Sequence, residues 1–263
     1  IWENHPRAPL PRKLSVHPRI TVYRSHRNLG FAAAVNRAVR LLPRSVPYLW
    51  LLNPDAWPQE PDFLDRALDR MGGDPRIAVL TPRVVYPDGT PQPVVKQRAG
   101  VWEALFARTG VLGFLTGYHP PQPEDAGPVP FAAAVSWVIR RDVFQRLGGM
   151  DERYFLFYED TDFCRNVREA GYIIWYEPSL TVVHRQGHAR RDRMFWAQLH
   201  KVRSGLRFVS RKTPVSSWLQ IGGIGLAGMY GLMHLFWGTW MKEVQHWNTL
   251  KKPLNGPSPS VRG

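Results

Sequence analysis

Cysteine is almost absent: a single residue, Cys164, in a chain of 263. That excludes an internal disulfide framework and a cysteine-rich zinc site, and it fits a reducing, cytosolic setting. Acidic residues are also short, 21 against 35 basic ones, which leaves a formal charge of +14. Such a surplus calls for an anionic partner: nucleotide phosphates, an acidic membrane surface or nucleic acid. No internal repeat is visible, and no helix-turn-helix, zinc-finger or RNA-binding signature appears. A basic nucleic-acid-binding protein therefore rests on charge alone, and no nucleic-acid partner is expected. Apolar residues make up 44% and charged residues 21%, the composition of ordinary globular material.

What is present is an alternation of strand and helix. Residues 20–23 (ITVY) read as a strand, followed by a polar loop and then by FAAAVNRAVRLL, whose alanines and spacing favour helix. Residues 48–53 (YLWLLN) form an apolar run that suits a strand buried on both faces. Residues 60–71 read as a helix closed by Gly72-Gly73, and residues 77–80 as another buried strand. RVVYPDGTPQPVV has the turn chemistry of a hairpin, and residues 113–130 read as a loop. Beyond it come a strand at 135–140, a short helix at 142–147 and a helix at 161–170 stopped by Gly171. Two short strands, 173–176 and 180–183, close the pattern. The alternation predicts an α/β fold with a mostly parallel sheet, in which ligands sit beyond the carboxyl ends of strands.

Three segments carry candidate chemistry. Asn53-Pro54-Asp55 ends a buried strand. It reads either as a simple turn or as a strand-end carboxylate holding a hard divalent cation. In FLFYEDTDFCRNVREAGY, Glu159, Asp160 and Asp162 crowd the start of a helix. Helix capping and the helix dipole explain acidic residues there, but the aromatic run before them also provides a wall against which one carboxylate could act as a general base. Residues 180–188 lead a strand into His184, which reads as either a surface histidine or a metal ligand.

The ordered set NLGFAAAVN, LLNPDAW, VIRRDVFQRLGGMDERYFLFYEDTDFCRNVREAGY and VVHRQG resembles glycosyltransferase family 2, particularly its bacterial rhamnosyltransferase-like members. The resemblance covers about residues 1–188 and is densest from Arg140 to Gly171. It implies a glycosyltransferase-A type sheet with flanking helices and inverting, metal-dependent transfer of a sugar, rhamnose first among the candidates. The donor would be a nucleotide-diphosphate sugar, and the acceptor a hydroxyl of a cell-envelope glycan or polyprenyl-linked molecule. By the same resemblance Asp55 and His184 hold Mg²⁺ or Mn²⁺, with Asn53 in place of the family's first aspartate. Asp160 is the base with Glu159 beside it, and Glu3, Asn4, Asn28 and Gly30 lie against the donor. Trp137 and Asp162 belong to the acceptor side, with Asp162 capping the helix or pairing with an arginine such as Arg165. Ala134 stands where relatives have glycine. The family's first strand and helix are expected upstream of Ile1, and without that strand a long sheet edge would be exposed. A non-catalytic sugar- or nucleotide-binding relative is the alternative.

On this reading residues 1–190 form the catalytic domain, 191–250 a helical tail and 251–263 a disordered end. Residues 185–212 hold nine Lys/Arg against one Asp, with Phe195, Leu199, Val202, Leu206 and Val209 at helical spacing. Residues 218–240 are largely apolar and flanked by tryptophans. Together they predict attachment to an anionic membrane surface, at the cytoplasmic, inner face of the cell membrane.

Overall fold

One tight link and the pairing across the sheet set the strand directions, and they make the sheet mixed. The computed structural model describes residues 2–4, 17–97, 122–185 and 194–210. In chain order the elements are β1 (Trp2–Glu3), β2 (Tyr23–Arg24), α1 (Phe31–Leu41), β3 (Tyr48–Leu52), β4 (Ala56–Pro58), α2 (Phe63–Gly73) and β5 (Ile77–Val85). There follow β6 (Val95–Lys96), β7 (Gly127–Val129), β8 (Phe131–Ala132), β9 (Ser136–Arg140) and α3 (Arg141–Arg146). Last come α4 (Glu159–Glu169), β10 (Ile173–His184) and α5 (Met194–Ser210).

The main sheet has the order β3-β9-β5-β10-β4, with β7 also on β10. Only β5 and β10 pair in parallel, and the other pairings in this sheet are antiparallel. The expected mostly parallel sheet is thus corrected to a mixed one. Asn53 to Asp55 is too short a link for a helical crossover, so β4 reverses direction, and β9 runs backwards between β3 and β5. The small β1–β2 pair is parallel, and β6 pairs with β8.

The core follows from the apolar pattern. Strand β5 is buried at every position but Arg83, as a strand with helices on both faces should be. Helix α2 turns Phe63, Ala67 and Met71 inward at four-residue intervals, and Trp50 of β3 stacks on Phe63 at 5.3 Å. On the opposite face Phe163 of α4 packs against Trp137 and Phe144. The basic pair in VIRRDVF is structural. Arg140 donates to Ile77 O at 2.8 Å and to Met71 O, while Arg141 reaches Leu42 O at 3.0 Å and Pro43 O. Met71 O and Leu42 O lie at the carboxyl ends of α2 and α1 and have no partner within their helices, so the two guanidinium groups close those ends.

The PDG turn forms, with Tyr86 N–H donating to Thr90 O at 2.8 Å and Gly89 at φ 83°. The two strands expected at 173–176 and 180–183 are one, β10, carried through an irregularity between Glu177 and Thr181. Helix α5 splits the expected apolar stripe. Val202 and Leu206 pack on the cluster of Tyr154, Tyr158 and Phe208, whereas Leu199 and Trp196 face outward, 46% and 60% exposed. Among the described residues no helix is long and apolar enough to cross a membrane. Residues 218–240 and 251–263 lie outside the described residues.

Candidate active site

Asp55 sits in the turn that follows β3, where Ala56 N–H donates to Asn53 O at 3.1 Å and Asn53 N–H to Val135 O at 3.0 Å. Turn and strand-end carboxylate are therefore one feature. The chain then pairs with β10 in a register that sets Ala56 opposite His184. This brings Asp55 Oδ1 to 3.2 Å from His184 Nε2. The ring is buried, and its Nδ1 lies 2.9 Å from Gln92 Oε1.

That geometry constrains the proton. An amide oxygen only accepts, so Nδ1 carries the hydrogen, and a neutral ring then turns its Nε2 lone pair toward the carboxylate. A cation between the two groups, a ring proton or a metal, would join that lone pair to the carboxylate. An imidazole whose far nitrogen is fixed by an oxygen acceptor is how metal-ligating histidines are held. The 3.2 Å separation also matches the roughly 3 Å between neighbouring donors each about 2.1 Å from one octahedral ion. Asp55 and His184 therefore fit Mg²⁺ or Mn²⁺. No group of three or more His, Cys, Asp or Glu gathers among the described residues. Nothing in the spacing of the sequence singles out Gln92; only the hairpin fold brings it to the ring.

The second centre opens α4. Phe157 and Tyr158, at φ 67° and 68°, hold a left-handed backbone that side-chain-bearing residues rarely adopt. Two such residues in succession cost about 1–3 kcal/mol each, a strain that turns the chain abruptly into Glu159 and Asp160. Glu159 is buried, and its Oε2 has no hydrogen-bond partner among the described residues. Burial, then the neighbouring Asp160 charge, push its carboxyl up to about 8. Asp160 is half-buried. Its Oδ1 accepts from Thr161 N–H at 2.6 Å and from the Thr161 hydroxyl at 3.1 Å, and its Oδ2 accepts no hydrogen bond among the described residues.

Asp162, fully buried, pairs with Arg165 as the sequence leads one to expect, and its other oxygen lies 3.4 Å from Asn166 Nδ2. Its contacts are thus inside the fold. Trp137, expected on the acceptor side, is likewise fully buried and packs on Phe163. Alternation along β9 puts it on the face covered by α4. Cys164, also buried, has its thiol pushed up to about 12 by desolvation and stays protonated.

One segment links the centres. Gln92 meets His184, and four residues on, Lys96 Nζ lies 3.4 Å from the Thr161 hydroxyl. Four residues of extended chain reach about 13–14 Å at most, which bounds the spacing of the two backbones. Gln122 secures this segment, its side-chain amide accepting from Val94 and Val95 N–H at 3.0 and 2.8 Å.

The loop before α1 completes the arrangement. Asn4 donates to Asn28 Oδ1 at 2.9 Å and to Gly30 O at 3.0 Å, and accepts from Leu29 N–H at 3.0 Å. Glu3 lies on β1 beside Arg24 of β2. Phe31 N–H donates to Phe155 O at 3.0 Å, so this loop abuts the segment leading to Glu159. Asn36, buried in α1, grips Met150 through both its amide groups, at 2.8 and 2.9 Å. No sequence signal marked Asn36 beyond its place in FAAAVN.

The sequence pattern of the family described as "Glycosyl transferase family 2" matches residues 10–148, and the chain belongs to that family. It is 30% identical over 189 residues to the N-acetylglucosaminyl-diphospho-decaprenol L-rhamnosyltransferase of Mycobacterium tuberculosis, covering 66% of this chain and 61% of that protein. The low-salt glycan biosynthesis hexosyltransferase Agl10 of Haloferax volcanii is 25% identical over 177 residues, covering 66% of this chain and 55% of its own length. The chain thus spans about three fifths of the length of these relatives. Among solved structures, the mannosyltransferase PcManGT of Pyrobaculum calidifontis, in complex with GDP-Man and Mn²⁺, superposes with a TM-score of 0.47 at 14% identity, covering 88% of this chain and 66% of that one.

Proposed function

We propose that this chain transfers a sugar, with inversion, from a nucleotide-diphosphate sugar to a hydroxyl of a cell-envelope glycan or lipid-linked acceptor. The observation that carries the reading is the Asp55–His184 pair, set by Gln92 and joined through residues 92–96 to the Glu159–Asp160 carboxylates. A divalent metal held by Asp55 and His184 would supply Lewis-acid stabilisation of the departing diphosphate. The chain's own residues do the rest. Asn4, Asn28 and Gly30, with Glu3 and Asn53, form the wall on which the donor nucleotide rests. Asp160 takes the proton of the attacking hydroxyl at Oδ2, the oxygen that Thr161 leaves open. Glu159, protonated at neutral pH, does not compete for that proton.

Likeness to the mycobacterial rhamnosyltransferase puts a rhamnosyl donor first, and that protein's decaprenol-linked substrate makes a polyprenyl acceptor the first to try. The work would then take place at the cytoplasmic face of an anionic membrane. A panel of nucleotide sugars, assayed for nucleoside diphosphate release with Mn²⁺ and with excess chelator, tests the reading. One donor class should be turned over, and chelation should abolish its turnover. Release undiminished by chelator would remove the metal role, and no release from any donor would overturn the transferase reading.

A further inference from the structure

We propose that the cleft between α5 and the segment entering α4 binds the phosphate or diphosphate group of a lipid-linked acceptor. The proposal rests on the transferase reading above and assigns where the acceptor's charged group is held. The cleft, of about 110 Å³, is lined by Arg153, Phe155, His200, Arg203, Ser204 and Arg207. Its chemistry is one-sided, with three guanidinium groups, an imidazole and a hydroxyl, and no carboxylate in the lining among the described residues.

Some of that charge is already spent. Asp151 takes Arg153 Nε at 2.9 Å and one terminal nitrogen at 2.6 Å, which leaves the other terminal nitrogen of that fork. Arg207 donates one hydrogen bond to Arg153 O at 2.6 Å. Neither Arg203 nor Arg207 pairs with a carboxylate among the described residues. Cations gathered without counter-charge repel one another until an anion joins them, and planar guanidinium forks match phosphate oxygens two at a time. His200 stacks on Phe155 at 4.7 Å, which fixes one wall, and the Ser204 hydroxyl donates to Leu156 O at 2.9 Å, which pins the helix to the other.

Position favours an acceptor over the donor. The donor diphosphate belongs with Asp55 and His184, and neither of these lines the cleft. The cleft shares Phe155 with the Gly30 loop, where an added Cβ would stand 2.5 Å from Phe155 O. Phe155 is also four residues before Glu159 on the same strained segment, so its backbone is within about 13–14 Å of that carboxylate's backbone. A lipid tail has a path as well. Trp196, Leu199 and Arg203 follow at i, i+3 and i+7 along one line of α5, two exposed apolar side chains leading to an exposed arginine of the cleft. Tryptophan and leucine beside arginine is the composition of a helix lying in a membrane surface.

Inorganic pyrophosphate binding to the full chain in excess chelator, measured by titration calorimetry, isolates this cleft from a metal-dependent donor site. Asp55→Asn should bind as the wild type does. Arg203→Gln should weaken binding by about tenfold or more, the weight of a hydrogen bond to a charged group, and Arg203→Lys should restore part of it. Arg203 is exposed, so the fold should survive, and the donor KM for hydrolysis should not change. In a second arm, phosphatidylcholine vesicles carrying polyprenyl diphosphate should capture the wild type better than vesicles carrying polyprenol, and Arg203→Gln should lose that preference. Equal pyrophosphate affinity in wild type and Arg203→Gln would overturn the site. Loss of binding in Asp55→Asn would do the same. Pyrophosphate binding without any vesicle preference would overturn the lipid-linked occupant. Failure of donor hydrolysis in the wild type would count against the transferase reading and leave the cleft standing.

Discussion

With its carboxyl pushed up to about 8 by burial and by Asp160, Glu159 keeps its proton in the fold at a pH where the unfolded chain has lost it. The folded state therefore binds more protons between the ordinary value, 4.5, and about 8. The stabilisation is complete below 4.5 and is lost as pH rises through about 8, at no more than about 1.4 kcal/mol per pH unit. Glu159→Gln removes the titration, so its urea midpoint should exceed that of the wild type at pH 8 and converge with it near pH 4.5. An unchanged gap across that range would contradict the assignment. Asp162 has a different task. Its buried pair with Arg165 predicts that Asp162→Ala costs about 3–5 kcal/mol in urea unfolding, because it strands a half-buried guanidinium. The three carboxylates were legible in the sequence as a cluster, and the Asp162–Arg165 pair followed from helical spacing. That Glu159 is the desolvated member was not legible, since its burial depends on the left-handed turn at Phe157 and Tyr158. Neither residue is of a type that announces such a backbone.

At the scale of elements, Gly30 is the hinge between two of them. Its φ of 83° with ψ of 174° is a region open to glycine alone, and its missing side chain lets α1 meet the Phe155 carbonyl. Gly30→Ala should cost about 1–3 kcal/mol from the backbone alone. It should also weaken donor binding, because the loop carrying Asn28 must move. Equilibrium unfolding and donor affinity measured on one preparation check both effects, and a wild-type value for either would be inconsistent with the packing. The elements themselves were largely readable: α1, β3, β9, α3 and α4 fall within a few residues of their apolar patterns. Strand direction was not. Alternation of strand and helix implies crossovers, yet the reversal of β4 and the backward run of β9 are set by pairing across the sheet. The union of residues 173–184 into β10 was missed for a related reason. Pro178 and Ser179 interrupt the strand pattern locally, while β5 on one side and β7 and β4 on the other hold the chain extended. Gln92 escaped notice because a polar residue after a turn has no period to betray it.

For the molecule as a whole, the surplus of positive charge and the outward Trp196 and Leu199 bear on where it works. Each basic residue near an acidic leaflet contributes about 1 kcal/mol, so several on α5 should hold the protein to the surface. Flotation with vesicles containing acidic lipid should show binding that weakens as salt is raised, and failure to bind at low salt would contradict it. The functional account as a whole turns on one carboxylate. Transfer by wild type, Asp160→Asn and Glu159→Gln should be compared in a single steady-state assay, with donor affinity measured on the same samples. Asp160→Asn should lose about 10²–10⁴ in turnover, the usual weight of general-base catalysis, with donor affinity nearly intact. Near-wild-type turnover in Asp160→Asn, together with abolished turnover in Glu159→Gln, would contradict the account.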